Sequence, residues 1–261
     1  MIFNGTTYDL TGPEDAPTVV LIHGLGLTRA VWQWLLPDLS KFRVLTYDLI
    51  GHGQTAPPEG QPTLKDLADQ LAHLLDHLEI DHAAIVGFSL GGMIARRFAQ
   101  DHRDRTTALV ILHSAYKRTE KQQAAILFRV TQAEEQGPEA TVELALQRWY
   151  TEAAQASRPD LMDLTRQWIL ANQREVYVKL YRILAHGVDE IVAPTPPLTL
   201  PTLVLTGDED HGNSPEMSIA IATEIPRARL VILKGLRHMA LAEDPPAVNR
   251  PVVDFLTEVL R

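Results

Sequence analysis

The chain has 261 residues, 45% of them hydrophobic, enough to pack one large α/β domain or two smaller ones. Its formal charge of −9, with no Lys/Arg cluster set against it, argues against a nucleic-acid partner; with no cysteine, disulfides, thiolate metal ligands and a cysteine nucleophile are excluded. The opening MIFNGTTYDL lacks the basic-then-apolar pattern of a leader and no apolar run reaches membrane-spanning length, so a cytoplasmic protein without a membrane partner is expected.

Asn4-Gly5, between two short β-prone runs, predicts a tight hairpin at the start. Apolar runs of strand length then recur at TVVLI (18–22), VLTY (44–47), AAIV (83–86), ALVIL (108–112), TLVLT (202–206) and LVILK (230–234). They are continuous rather than alternating, the pattern of parallel strands covered on both faces. Helical patterns fall between them: Arg29 to Leu39, Leu64 to Leu78, Leu90 to His102, Pro215 to Glu224 and a last stretch ending near Leu260. The fold class expected is α/β, a mostly parallel sheet flanked by helices. Pro251 interrupts the last helical pattern, so that helix either begins near Asn249, with the proline in its first turn, or is kinked there.

The spacing breaks once, between ALVIL and TLVLT, where about ninety residues with several helical patterns and no strand intervene. The expected division is a core of residues 1–116 and 195–261 and a helical cap of 117–194, inserted after the sixth strand. The cap holds Trp149, Tyr150, Trp168, Tyr177 and Tyr181 and returns through the proline-rich PTPPLTLP (194–201). A bundle packed elsewhere on the surface is the alternative; the ligand-binding tendency of strand C-terminal ends favours a cap.

Chemistry concentrates at VGFSLGG (86–92). Gly87-x-Ser89-x-Gly91 stands where a strand gives way to a helix, the context of a nucleophile elbow: a turn so sharp that serine is strained and its Oγ projects from the sheet. Close backbone approach leaves no room for side chains two residues on either side. A serine hydroxyl needs a base, and the base an orienting carboxylate, in the chain order serine, acid, histidine. His238, in GLRHMALAEDPP after LVILK, is the histidine whose position fits the base. The acid lies in GDED after TLVLT: Asp210 is preferred because the loop must clear the strand before turning back, with Asp208 as runner-up. The HSAYK loop after ALVIL offers no carboxylate, and Asp244 reads as a helix N-cap. Oxyanion donors are expected from the amides of Leu90, directly after the nucleophile, and Leu25, in the HGLG loop after TVVLI. His23 of that loop reads as an anchor.

HGLG, DLIGHG (48–53), GFSLGG, GDED and GLRHMALAEDP, in that order and spread over nearly the whole chain, resemble the α/β-hydrolase superfamily. Ile50 and Thr55 depart from the arginine and serine common at those places. The cap, with its RWY segment (148–150), is similar in style to 3-oxoadipate enol-lactonases and aminoacrylate hydrolases. The resemblance implies a serine hydrolase acting on a small-molecule ester or lactone, no metal and no organic cofactor; Ser89 excludes the dehalogenases and epoxide hydrolases of this fold, which need aspartate there. Two other readings stay open: a C–C bond hydrolase of a ring-cleavage pathway, and a non-catalytic ligand receptor. Trp32, Trp149 and Trp168 are candidate pocket residues. Arg118, Arg129, Arg148, Arg174 and Arg182 are candidates for binding a substrate carboxylate, with nothing in the sequence to choose among them. His73 and His77, one helical turn apart, have metal-ligand spacing but read as a solvated helix face, and the oligomeric state has no signal.

Overall fold

A computed structural model describes all 261 residues. Its sheet has eight strands: β1 (Ile2–Phe3), β2 (Thr6–Thr11), β3 (Thr18–Ile22), β4 (Arg43–Tyr47), β5 (Ala83–Phe88), β6 (Thr106–Leu112), β7 (Thr202–Gly207) and β8 (Ala228–Leu233), in the spatial order β1-β2-β4-β3-β5-β6-β7-β8. β1 and β2 form the hairpin around Asn4 and Gly5, both at positive φ as such a turn needs, and β2 runs antiparallel to β4. All other pairs are parallel. The order reverses between β3 and β5, so the crevice at their C-terminal ends, where an open α/β sheet takes a ligand, lies between HGLG and the GFSLGG turn.

Burial explains the central runs. Every residue of β5 and all but the first of β3 is buried, since helices α1 (Leu64–His77) and α2 (Leu90–Asp101) and their neighbours leave no face to water. β8 departs from this expectation. As the edge strand it leaves Leu230 and Ile232 more than a third exposed, although its run is as apolar as the others. Arg29 to Leu39 also differs, forming two 3-10 turns, Arg29–Trp34 and Leu36–Leu39, rather than an α-helix.

Five helices fill the long interval: α3 (Glu120–Gln136), α4 (Glu139–Trp149), α5 (Glu152–Ser157), α6 (Pro159–Leu170) and α7 (Arg174–His186). Their seat on the core is set by hydrogen bonds at the HGLG loop and at the loop that carries His238. Asn172 Nδ2 donates to the Gly26 carbonyl of HGLG at 3.1 Å, and Met239 N–H, beside His238, donates to the Trp149 carbonyl at 2.9 Å. The end of the insertion and the return segment are held to the core, where Arg96 of α2 donates to the Ile191 carbonyl at 2.8 Å and Arg103, just past α2, to that of Pro197 at 2.9 Å.

After β7 come α8 (Pro215–Glu224), α9 (Ala240–Glu243) and α10 (Pro245–Val259). Asp244 caps α10 by accepting from Ala247 N–H. The helix runs through Pro251 rather than starting at Asn249; its buried face, Val248, Val252, Phe255 and Leu256, offsets the one lost backbone hydrogen bond. His73 and His77 are exposed, and His77 stacks on Phe3 with ring centroids 3.8 Å apart, covering the hairpin.

Candidate active site

Ser89 occupies the turn from β5 into α2 with φ 57° and ψ −116°, a conformation that L-residues avoid. Its amide donates to Leu112 O at 2.8 Å and its carbonyl accepts from Ser114 Oγ at 2.9 Å, so the neighbouring strand and loop hold the strain in place. A serine ahead of a helix ordinarily caps an amide of the first turn; here the side chain makes no such bond and stays available. The flanking glycines are required by contact. A Cβ on Gly87 would lie 2.2 Å from the Gly91 carbonyl oxygen, and one on Gly91 would lie 2.1 Å from that of Ile22.

Among the three acidic residues after β7, only Asp210 is buried. Its Oδ1 accepts from the amides of Gly212 (3.0 Å) and Asn213 (2.9 Å), and its Oδ2 accepts from His238 Nδ1 at 2.7 Å. Burial by itself would raise this carboxyl. The positive field of His238 and the hydrogen bonds from two histidines outweigh it and hold Asp210 well below the usual carboxylate range. Since the carboxylate can only accept, His238 carries its proton on Nδ1 and presents Nε2 as an acceptor. Asp208 is occupied otherwise, accepting from Gly235 N–H at 2.7 Å on the surface.

Ser89 and His238 line one cavity between the core and the helical insertion. No hydrogen bond joins their side chains; in sites of this kind that contact commonly tightens only around substrate. Leu25 also lines the cavity, and its amide donates to no protein group; the Leu90 amide, first in α2, lies ahead of the helical ladder. HGLG is fixed from behind by two buried imidazoles. His23 donates from Nδ1 to Gly24 O at 2.8 Å and accepts at Nε2 from Leu49 N–H at 3.0 Å, while His52 Nε2 accepts from Gly26 N–H at 3.0 Å. Burial lowers His23 to about 4 and His52 to about 3, so both are neutral anchors. Thr55, the departure from serine, bridges Thr7 N–H and the Asp48 carbonyl through its hydroxyl, each at 2.9 Å.

The alpha/beta hydrolase fold family model matches residues 17–245. The chain belongs to that family. Two curated relatives come from Acinetobacter baylyi. The (E)-2-((N-methylformamido)methylene)succinate hydrolase is 26% identical over 97% of this chain and 95% of its own length, and 3-oxoadipate enol-lactonase 1 is 31% identical over 77% and 74%. The crystal structure of the enol-lactonase from Burkholderia xenovorans superposes with a TM-score of 0.89 at 28% identity, covering 97% of this chain and 96% of that one. The protein is thus a hydrolase with the mostly parallel eight-stranded sheet of the enol-lactonases. No helix in it is long and apolar enough to cross a membrane.

Of the three tryptophans proposed for the pocket of this α/β hydrolase, Trp149 lines the cavity, its ring 5.5 Å from that of His238. Trp32 is fully buried away from it, since its 3-10 turn points the indole into the core, and Trp168 packs edge-on against Trp34 at 6.1 Å. Arg118, Arg129 and Arg148 reach the cavity wall; Arg174 and Arg182 turn outward to Glu134.

His113 was not anticipated. It sits at φ 49° just past β6, and its Nδ1 donates to the same Asp210 oxygen at 3.0 Å. Burial lowers its pKa against the opposing pull of Asp210. Atoms of His113, Asp210 and His238 all lie within 4.8 Å, close enough to be tested as a metal site. Both Nδ1 atoms, however, point their protons at one carboxylate oxygen at hydrogen-bond distance, and the other oxygen serves two amides, so this donor set does not fit an ion.

Proposed function

We propose that the protein is a cofactor-independent serine hydrolase of carboxylic esters or lactones, working through Ser89, His238 and Asp210 beneath a helical cap formed by the insertion. The observation that carries this reading is the 2.7 Å contact of His238 Nδ1 with the buried Asp210, which leaves Nε2 as the basic atom in the cavity that also holds the strained Ser89. Ser89 Oγ attacks the substrate carbonyl as His238 Nε2 takes its proton, and the Leu25 and Leu90 amides receive the oxyanion. Collapse returns the proton to the departing alkoxide and leaves an acyl-Ser89 ester. A water, deprotonated by His238, then attacks that ester and releases the acid and free enzyme; for a lactone, alcohol and acid leave as one product. Asp210, kept ionised by the two histidines, stabilises the imidazolium that forms at each stage. The relatives named as a lactonase and as a hydrolase of a succinate derivative support the reaction class.

The test is turnover of p-nitrophenyl esters with labelling by an active-site phosphonate. Wild type is expected to cleave and to be labelled at Ser89, and Ser89→Ala to lose at least about four orders of magnitude in kcat with its fold intact. No Ser89-dependent turnover or labelling would instead make the molecule a ligand receptor on a hydrolase fold.

A further inference from the structure

The cavity wall is divided by charge. The core supplies Ser89, His238, Phe88 and the glycine loops, whereas Arg118, Arg129 and Arg148 all come from the insertion. No carboxylate lines the cavity, and none of the three arginines forms an ion pair. Arg118 donates to the carbonyls of Leu184 and Ala185, Arg129 donates from Nε to the Tyr181 hydroxyl, and Arg148 donates to nothing. Arginines on the outer surface of the insertion behave differently: Arg158 pairs with Asp160, Arg166 with Glu143 and Asp163, and Arg182 with Glu134. A chain of net charge −9 has carboxylates to spare, so their exclusion from this wall is local.

Three half-buried cations without counter-charges oppose one another. Burial lowers Arg118 to about 10, with the charge of Arg129 acting in the same direction, and Arg148 is lowered by the same two causes. Guanidinium groups keep their charge at neutral pH. Such an arrangement destabilises the empty protein and is relieved by a bound anion, whose planar pair of oxygens matches a guanidinium fork. Trp149, Tyr177 and Tyr181 also line the cavity and supply aromatic surface for a short carbon skeleton.

We propose that the ester or lactone cleaved at Ser89 bears at least one free carboxylate, seated on Arg148, Arg129 and Arg118. The assignment rests on the hydrolase reading above and adds the chemical class of its substrate. It is tested with p-nitrophenyl hemiglutarate against the same compound methylated on its free carboxylate. Wild type is expected to show kcat/KM at least tenfold higher for the anion. Arg148→Ala and Arg129→Ala are expected to cut that preference at least tenfold, mainly through KM, with partial recovery in Arg148→Lys. Because both esters are assayed on one preparation, partial unfolding cancels from the ratio, and Arg148→Gln replaces any variant that does not fold. Equal rates on the two esters in wild type, or equal losses on both in the arginine variants, would overturn the proposal.

Calorimetric titration separates the two readings. Glutarate is expected to bind both wild type and Ser89→Ala, and to bind Arg148→Ala at least tenfold more weakly. If no ester is cleaved but glutarate still binds in this arginine-dependent way, the hydrolase reading fails and the anion site stands. If esters are cleaved and glutarate does not bind, the anion site alone fails. Inorganic phosphate binding as tightly as glutarate would replace the carboxylate assignment with a general anion site.

Discussion

The turn at Ser89 and the insertion that faces it are built on opposite principles. At the turn, backbone determines everything: glycines at 87 and 91 admit carbonyls that any side chain would meet near 2 Å, and Ser89 keeps a strained φ because two hydrogen bonds hold its peptide groups. Across the cavity side chains dominate, and the Arg148 guanidinium donates to no protein group, whereas the main-chain amide and carbonyl of Ser89 are both hydrogen-bonded. Rigid geometry suits the reacting atoms, which are common to every ester. Adjustable, charged side chains suit the part of a substrate that differs from one ester to another. Crowding the backbone of the turn should therefore weaken fold and chemistry together, whereas side-chain changes on the insertion's cavity wall should alter chiefly which molecules are accepted.

The largest effect comes from breaking the first half of that contrast. Gly91→Ala would place its Cβ 2.1 Å from Ile22 O and 2.7 Å from His23 O, both main-chain atoms that move only if β3 moves. A loss of roughly 3 kcal/mol or more in unfolding free energy is expected, as for other backbone overpacking. Urea denaturation measures it, and a change within about 0.5 kcal/mol would show the turn to be far more pliant than its contacts imply.

Why one half of the site was readable and the other was not follows from these same contacts. Glycines at 87 and 91 mark places where main chain meets main chain, a constraint that only one residue type satisfies, so it is written in the sequence itself. Asp210 was separable from Asp208 by loop reach alone. The five arginines of the insertion look equivalent in the sequence, and only the packing shows that Arg118, ahead of α3, and Arg129 and Arg148, on α3 and α4, turn inward. Trp32 misled for the same reason: a tryptophan next to HGLG packs as well into the core as into a pocket, and the 3-10 geometry of its turn decides. His113 left no mark, because its contact with Asp210 joins residues 97 positions apart. β8 shows the reverse error, an apolar run whose exposure depends on its place at the sheet edge.

A smaller effect separates the buried neutral histidines behind HGLG from the half-buried cations of the insertion. His23 and His52 have folded pKa values lowered to about 4 and about 3 from an ordinary 6.5, so the unfolded chain binds protons that the folded chain refuses. Their contribution is fully present above pH 6.5. As pH falls from there toward 4, each costs up to about 1.4 kcal/mol of stability per pH unit. His52→Gln, whose Oε1 can still accept from Gly26 N–H, is expected to flatten the fall between pH 6.5 and 4.5. Denaturation curves with equal pH slopes in the two proteins would remove His52 as a source of the acid sensitivity.

His113 lies where the two regions meet, and its substitution should have the smallest effect. It shares the Asp210 oxygen with His238, drawing off part of the carboxylate's charge while fixing its orientation. In His113→Phe that share returns to His238. The hydrogen bond that this oxygen accepts from His238 Nδ1 is thereby strengthened. The expected outcome is a loss of about tenfold in kcat/KM at neutral pH, with the acid limb of the pH–rate profile moved to higher pH. A merely structural residue would lower the profile without moving it along the pH axis. Because Asp210 belongs to the core, the loss should fall equally on anionic and neutral esters; a loss confined to anionic esters would assign His113 to the charged wall of the cavity instead.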